Sequence, residues 1–229
     1  MKNKTRKSFI ITILFLLLVL PPIVYFYVTR GFNNFINLEI IGEENHKISN
    51  FQFINQDSII IDNSTMKGNI YVASFFFTSC PTICPVMTKN MSYLQKELSV
   101  YPNIRFLSHS VDPVNDTPYK LRLYIEMMKQ KYISIDTQNW DLVTGEKSEI
   151  YDIAKSYFVN VSEDSIAPGG FLHSEYFVLI DKEGRIRSGV DQYNNVVGVY
   201  DGTNEIHIKN LVNDIKVLMA EYKRPKKDK

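Results

Sequence analysis

The apolar run from Ile70 to Phe77 stops three residues short of Cys80, and Cys80 and Cys84 are the only cysteines in the chain. A short, nearly unbroken apolar run of this kind reads as a strand buried on both faces. Beyond it, Val86, Met87, Met91, Leu94 and Leu98 recur at helical spacing, which predicts a helix over about Thr82 to Leu98. A strand therefore hands over to a helix, and both thiols fall at the junction. Such a junction can make a reversible disulfide, hold a soft metal, or do both. A structural staple would be a poor use of the pair, because a bridge between residues four apart removes little unfolded-state entropy.

The N-terminus sets the compartment. Lys2, Lys4, Arg6 and Lys7 precede an apolar run from Phe9 to Val28, broken only by Thr12 and Pro21-Pro22. About 20 apolar residues cross a bilayer core. The basic residues lie before the run and only Arg30 just after it, which places the N-terminus in the cytoplasm and everything from about Gly31 outside. No small-x-small triplet near Tyr25 to Gly31 invites signal-peptide cleavage, so an uncleaved anchor is expected. The proline pair either kinks this helix or marks its outer end.

Setting aside the five basic residues of positions 1–30 leaves 21 Lys and Arg against 25 Asp and Glu. That acidic balance argues against a nucleic-acid partner, whose phosphates need a basic face. The basic tail from Lys223 to Lys227 reads as a solvated end. About 190 residues remain, enough for one domain with a sizeable core.

The rest of the chain alternates. Phe51–Ile54 and Ser58–Ile61 read as a hairpin around Gln56-Asp57, and Lys67-Gly68-Asn69 as a turn. Ile104 to Val111 is a strand ended by Asp112-Pro113. Thr117 then caps a helix with Pro118 in its first position. A short strand over Ser134–Trp140, a helix over about Ser148–Tyr157, a loop at Pro168-Gly169-Gly170 and a strand at Tyr176–Ile180 follow. Asp181–Gly184 turns that strand back into Arg185–Val190, and Asp201-Gly202-Thr203 opens a last helix. Strand–helix alternation followed by a hairpin and a helix indicates an α/β fold with a mixed sheet.

At a helix N-terminus the dipole favours thiolate, which is both nucleophile and metal ligand. Pro81 pushes Cys80 toward extended backbone, just ahead of the helix, and Cys84 falls in its first turn. Two thiolates with an imidazole select copper over hard cations. Four histidines are available. His46 and His207 read as surface or structural groups, and His109, within a strand, as a packed one. His173 stands apart, after the Gly-Gly loop and just before a strong strand. Spacing alone leaves its role open. Met87 and Met91, at helical spacing, read as core.

The segments Phe77–Pro85 (FTSCPTICP), Ser110–Pro118 (SVDPVNDTP) and His173-Ser174 ahead of Tyr176 to Asp181 together resemble the SCO/SenC family, over about Phe51 to Leu218. The resemblance implies a thioredoxin-like mixed sheet flanked by helices, carried on one N-terminal transmembrane helix. It implies a copper chaperone that helps build the dinuclear copper site of cytochrome c oxidase subunit II. Carried over by position, Cys80, Cys84 and His173 match the copper ligands. Asp112 and Asp116 match the Asp-Pro and Asp-Thr-Pro positions. They read either as a strand end and a helix cap or as acidic groups near the metal. Thr78-Ser79 departs from the bulkier residues often found there.

The expected organisation is a basic stub and anchor over residues 1–30, a linker over 31–45, a copper-binding domain over 46–222 and a basic tail over 223–229. The soluble domain would face the periplasm or its equivalent outside a bacterial inner membrane. Reduced Cys80 and Cys84 with His173 would bind copper for transfer to the oxidase subunit or another copper acceptor. The Cys80–Cys84 disulfide would release it, and a thioredoxin-like reductant would restore the thiols. The rival reading is a thiol-disulfide oxidoreductase without a metal role. It usually carries Cys-x2-Cys with a Trp before it, whereas the one Trp here is Trp140. A peroxidase centred on Cys84 and an anchored module with inert thiols are weaker alternatives.

Overall fold

The computed structural model describes residues 2–29, 37–131, 135–164, 166–167 and 169–223. The chain divides into two compact units, one of Met1–Asn37 with Met219–Lys229 and one of Leu38–Leu218. In the first, α1 (Lys2–Thr29) runs through Pro21-Pro22 without ending there. Its segment Ser8–Tyr27, 20 residues with a mean hydropathy of 2.7, is long and apolar enough to cross a membrane. Of the expected linker over 31–45, residues 31–36 lie outside the described residues, and Glu39–Ile41 is a strand of the main sheet, not linker; the expected basic tail lies outside the described residues from residue 224 on.

The second unit begins with β1 (Glu39–Ile41), β2 (Gln52–Asn55), β3 (Ile60–Asp62) and the single turn α2 (Asn63–Met66). Then come β4 (Ile70–Phe76), α3 (Ile83–Glu97), β5 (Ile104–Ser110), α4 (Pro118–Lys131), β6 (Trp140–Thr144) and α5 (Lys147–Ser156). A two-stranded ribbon of β7 (Val161–Glu163) and β8 (Phe171–His173) precedes β9 (Tyr176–Ile180), β10 (Ile186–Ser188), β11 (Tyr200–Asp201) and α6 (Glu205–Lys223). The main sheet has the order β1-β10-β9-β4-β5-β6-β2-β3, with β11 pairing β9. β4, β5 and β6 are parallel, and the flanking pairs are antiparallel. This is the mixed sheet flanked by helices that the sequence led us to expect, with one N-terminal apolar helix.

β4 explains why the sheet is built this way. All seven of its residues are buried, because it is sandwiched between strands and covered on both faces. Toward α3 and α4, Ser74 Oγ meets Ser108 Oγ at 2.9 Å, the Trp140 indole donates to Ser108 Oγ at 3.0 Å, and Phe76 packs on Tyr124. Met87 and Met91 are buried, as expected of core. On the opposite face Phe75 stacks on His109 at 4.8 Å and meets Tyr157 edge-on.

Two sequence expectations shift. The short strand expected over Ser134–Trp140 starts only at Trp140, Ser134 itself lying outside the described residues. Asp136 Oδ1 accepts the Gln138 N–H, and the Gln95 side chain bridges the Asp136 carbonyl and Asn139, so the polar residues make a turn and the buried run Trp140–Thr144 makes the strand. The ribbon β7–β8 has no counterpart in the sequence reading, which saw only the loop at its tip.

The β9–β10 turn is held by a buried charge cluster. Asp181 accepts from Arg185 Nε at 2.8 Å and from Arg187 Nη1 at 3.1 Å, and Arg187 Nη2 donates to the Leu38 carbonyl at 2.8 Å. Removing one partner of a buried pair leaves an uncompensated charge and costs about 3–5 kcal/mol. Asp181→Ala is expected to lose that much in denaturant-induced unfolding, whereas Glu183→Ala, an exposed member of the same turn, changes stability by less than about 1 kcal/mol.

His109 is fully buried. Its Nδ1 lies 3.3 Å from the Ser74 carbonyl, and Phe51, Phe53, Phe75 and Tyr157 surround the ring. Burial pulls its pKa from 6.5 down to about 4. The unfolded chain therefore binds a proton that the folded protein refuses as pH falls from about 6.5 to about 4, so stability drops through that window. Replacing His109 with Leu is expected to remove the His-dependent part of the slope of unfolding free energy against pH there.

Candidate metal centre

β4, flanked by β9 and β5, ends at Phe76 and leads into a tight turn. The Cys80 N–H donates to the Phe77 carbonyl at 3.2 Å, which brings Cys80 back over the strand end. Thr82 is the N-cap residue of α3, and Cys84 is the second residue of the helix. Pro85 is tolerated there because a first-turn N–H has no partner within the helix.

A buried carboxylate fixes this turn. Asp116, 1% exposed, accepts from the Thr78 N–H at 2.9 Å, from Thr78 Oγ1 at 2.5 Å and from Ser110 Oγ at 2.6 Å. It does not cap α4. That helix starts at Pro118, with Leu121 N–H donating to the Thr117 carbonyl. Asp112 stays at the strand end, its carboxylate taken up by the Asn115 side-chain amide at 2.9 and 3.0 Å. Burial raises the Asp116 pKa, partly offset by the bonds from Ser110 and Thr78.

The ribbon β7–β8 supplies the imidazole. His173 ends β8 opposite Val161, is 6% exposed, and places Nε2 3.3 Å from Cys84 Sγ. Its Nδ1 lies 3.3 Å from the Ser174 carbonyl. A proton on Nδ1 donated to that carbonyl leaves the Nε2 lone pair facing the sulfurs, the tautomer a metal-binding histidine needs. The ribbon rests on Phe77. The His173 ring stands perpendicular to the Phe77 ring at 5.5 Å, and Phe171 meets the same ring at 5.2 Å.

Both cysteines are free and buried, Cys84 fully and Cys80 to 8% exposure. The ligand atoms of Cys80, Cys84 and His173 all lie within 4.8 Å of one another. Bonds of about 2.0–2.3 Å to a shared metal would hold such atoms about 4 Å apart, so little movement separates this arrangement from a three-coordinate site. The pair titrates as a unit. The bond from the Cys84 thiol, then contacts to His173 and the backbone N–H groups of Cys84 and Thr82, pull the Cys80 pKa down against burial. The bond to Cys80, then burial and the Cys80 charge, push Cys84 up. Of the two sulfurs, Cys80 is therefore the more readily ionised.

The other histidines lie elsewhere. His46 stacks on Phe158 with Nε2 on the Ser156 carbonyl, His207 Nδ1 accepts the Asp201 N–H, and His109 is in the core. Sequence reasoning missed Thr78, Phe77, Phe171 and Gly169 as parts of the site. Phe-Thr ahead of the first cysteine and a Phe two residues before His173 were the only signals available. Asp116→Ala would leave the Thr78 and Ser110 donors without their acceptor, at a cost of order 3 kcal/mol. It is expected to speed alkylation of Cys80 in the native protein, measured beside Asp112→Ala, which leaves the Thr78 contacts in place.

A family model described as SCO1/SenC matches residues 41–206. The SCO1 protein homolog of Bacillus subtilis (strain 168) is 31% identical over 174 residues, covering 75% of this chain and 82% of that protein. BsSco, a member of the Sco family of cytochrome c oxidase assembly proteins in which a disulfide switch was identified, is 31% identical, with a TM-score of 0.63 over 81% of this chain and 99% of that one. ScoI of Bradyrhizobium japonicum, solved with copper bound, is 20% identical with a TM-score of 0.57, covering 74% of this chain and 98% of that one, a likeness of fold.

Proposed function

The chain belongs to the SCO1/SenC family, and on that premise we propose that it is a membrane-anchored copper carrier for cytochrome c oxidase assembly. Cys80, Cys84 and His173 hold the metal. The observation that carries this reading is the meeting of two sulfurs and one imidazole within 4.8 Å, from segments 89 residues apart. Two soft sulfurs with one imidazole suit copper and disfavour hard cations. Copper-bound ScoI and the assembly role of the Sco family support the same cargo and destination. The acceptor is the dinuclear copper site of cytochrome c oxidase subunit II.

Copper is the cargo, and three ligands suit a carrier. A three-coordinate ion leaves room for an acceptor thiolate to enter before Cys80, the more exposed sulfur, departs. Transfer then proceeds by ligand exchange and avoids a free ion. The same pair carries redox chemistry. The Cys80 thiolate attacks an acceptor disulfide and releases one acceptor thiolate, and Cys84 resolves the mixed disulfide. Two electrons and the Cys84 proton leave the carrier, which ends as the Cys80–Cys84 disulfide, while the acceptor takes a second proton from water and ends as a dithiol. The disulfide has no thiolates left for copper, so delivery and reduction alternate on one pair.

Asp116 sits beside the metal as the clamp of the Cys80 turn, and Asp112 shapes the turn that carries Asp116. Residues 46–222 with strand β1 (Glu39–Ile41) form the working domain, residues 1–30 anchor it with the N-terminus in the cytoplasm, the remainder of 31–45 links the two, and 223–229 are a basic tail. The domain thus works on the outer side of the inner membrane, where the oxidase copper site is assembled and a thioredoxin-like protein can return the disulfide to thiols.

The full-length protein in detergent, reduced and given Cu(I), is expected to bind one equivalent. Cys84→Ser is expected to lose at least tenfold in affinity, and oxidation to the disulfide to abolish binding. A Cys84→Ser protein that binds one copper as tightly as wild type would refute the ligand assignment.

A further inference from the structure

We infer that the Phe77 side chain is the seat that fixes His173 over the two sulfurs, so that Phe77 is a positioning residue for the metal site; the inference rests on the copper reading above. The ribbon that carries His173 pairs only within itself among the described residues, β7 with β8. The hydrogen bonds of the main sheet therefore do not set where the imidazole lies. The ribbon's other polar ties are local or peripheral. Asp164 N–H donates to the Gly170 carbonyl, Gly170 N–H to the Ala167 carbonyl, Ser174 Oγ to the Asn160 carbonyl, and Glu163 pairs with Lys147 on the surface.

Against the core, three parts of the ribbon converge on one ring. His173 meets Phe77 perpendicular at 5.5 Å and Phe171 meets it tilted at 5.2 Å. Gly169, at φ +87°, lies so close that a Cβ there would stand 2.6 and 2.7 Å from Phe77 Cε2 and Cζ. An edge-to-face ring contact is directional, so it orients the imidazole plane as well as placing it. Phe77 itself is 1% exposed and cannot swing aside without opening the core.

The same residue serves the other half of the site. Its carbonyl accepts the Cys80 N–H, closing the cysteine turn. Backbone and ring of one residue thus hold the sulfurs and the imidazole in a common frame. A shorter side chain at 77 lets the ribbon settle elsewhere, and a side chain at 169 pushes it off the ring. Either change separates Nε2 from Cys84 Sγ without touching a ligand.

The test measures Cu(I) affinity of the full-length protein by competition with a chromophoric chelator, together with nitrogen hyperfine coupling in the Cu(II) form. Wild type, Phe77→Leu, Gly169→Ala and His173→Ala are compared, with each of the first two substitutions also placed in the His173→Ala background. Loss of a group that orients a metal-binding histidine costs about 10–100-fold in affinity. Phe77→Leu and Gly169→Ala are each expected to lose that much, to weaken the nitrogen coupling, and to cost nothing further once His173 is gone. A merely structural role would lower the melting temperature, keep the nitrogen signal, and add to the His173→Ala loss; that outcome overturns the inference. Gly169→Ala, at the ribbon tip, carries the test if Phe77→Leu fails to fold. If His173→Ala reduces copper affinity while Phe77→Leu and Gly169→Ala bind as wild type, the inference alone falls. If His173→Ala binds as wild type, the ligand assignment falls and takes the inference with it.

Discussion

The contact of His173 Nε2 with Cys84 Sγ, at 3.3 Å, joins two segments 89 residues apart, and the surrounding structure exists to hold it. Neither segment is rigid by itself. The first turn of α3, entered through the five-residue turn Thr78–Thr82 that carries Cys80, holds the Cys84 sulfur, and a ribbon of two three-residue strands carries the imidazole. Rigidity is borrowed from β4, buried along its whole length, and from two side chains that reach across from it and to it. Asp116 grips the turn through Thr78, and Phe77 receives the ribbon.

This arrangement separates two kinds of work. The sheet, with its Asp181–Arg187 cluster and its aromatic packing around His109, supplies stability through groups other than those that touch the thiols. The turn and the ribbon supply geometry, and they are attached by few contacts. A carrier needs that division. Its ligands must be placed well enough to select a soft cation and loosely enough to surrender it. Burial also divides the two sulfurs. Cys84 is fully buried and Cys80 keeps 8% of its surface exposed, so a partner reaches Cys80 before Cys84.

Much of the fold was legible because its elements are long and apolar. Ile70–Phe77 announced a central strand by continuous hydrophobicity, and Val86 to Leu98 announced α3 by period. Thr117-Pro118 marked the start of α4, and Asp181–Gly184 the turn between β9 and β10. The strand at Trp140–Thr144 is hard to bound from sequence because Trp140 both ends a polar stretch and begins an apolar one. β7 and β8 were invisible for a different reason. Three residues are too few to show alternation, and the ribbon is made by the Gly169-Gly170 bend more than by any strand pattern. The thiols of the site were legible as chemistry, since few uses exist for a dithiol at a helix mouth. The imidazole was not fixed by spacing and came from the resemblance. Asp116 was readable only as an acid near a helix start, because a hydrogen bond to a residue 38 positions away leaves no local trace.

The central claim is that one ion takes its ligands from Cys80, Cys84 and His173 together. X-ray absorption at the copper edge, on the reduced full-length protein loaded with one equivalent of Cu(I), reads this directly. The account predicts two sulfur neighbours at about 2.3 Å and one imidazole nitrogen at about 2.0 Å, with the nitrogen shell lost in His173→Ala. A shell of oxygen and nitrogen alone, or a two-sulfur, one-nitrogen shell unchanged by His173→Ala, would contradict it.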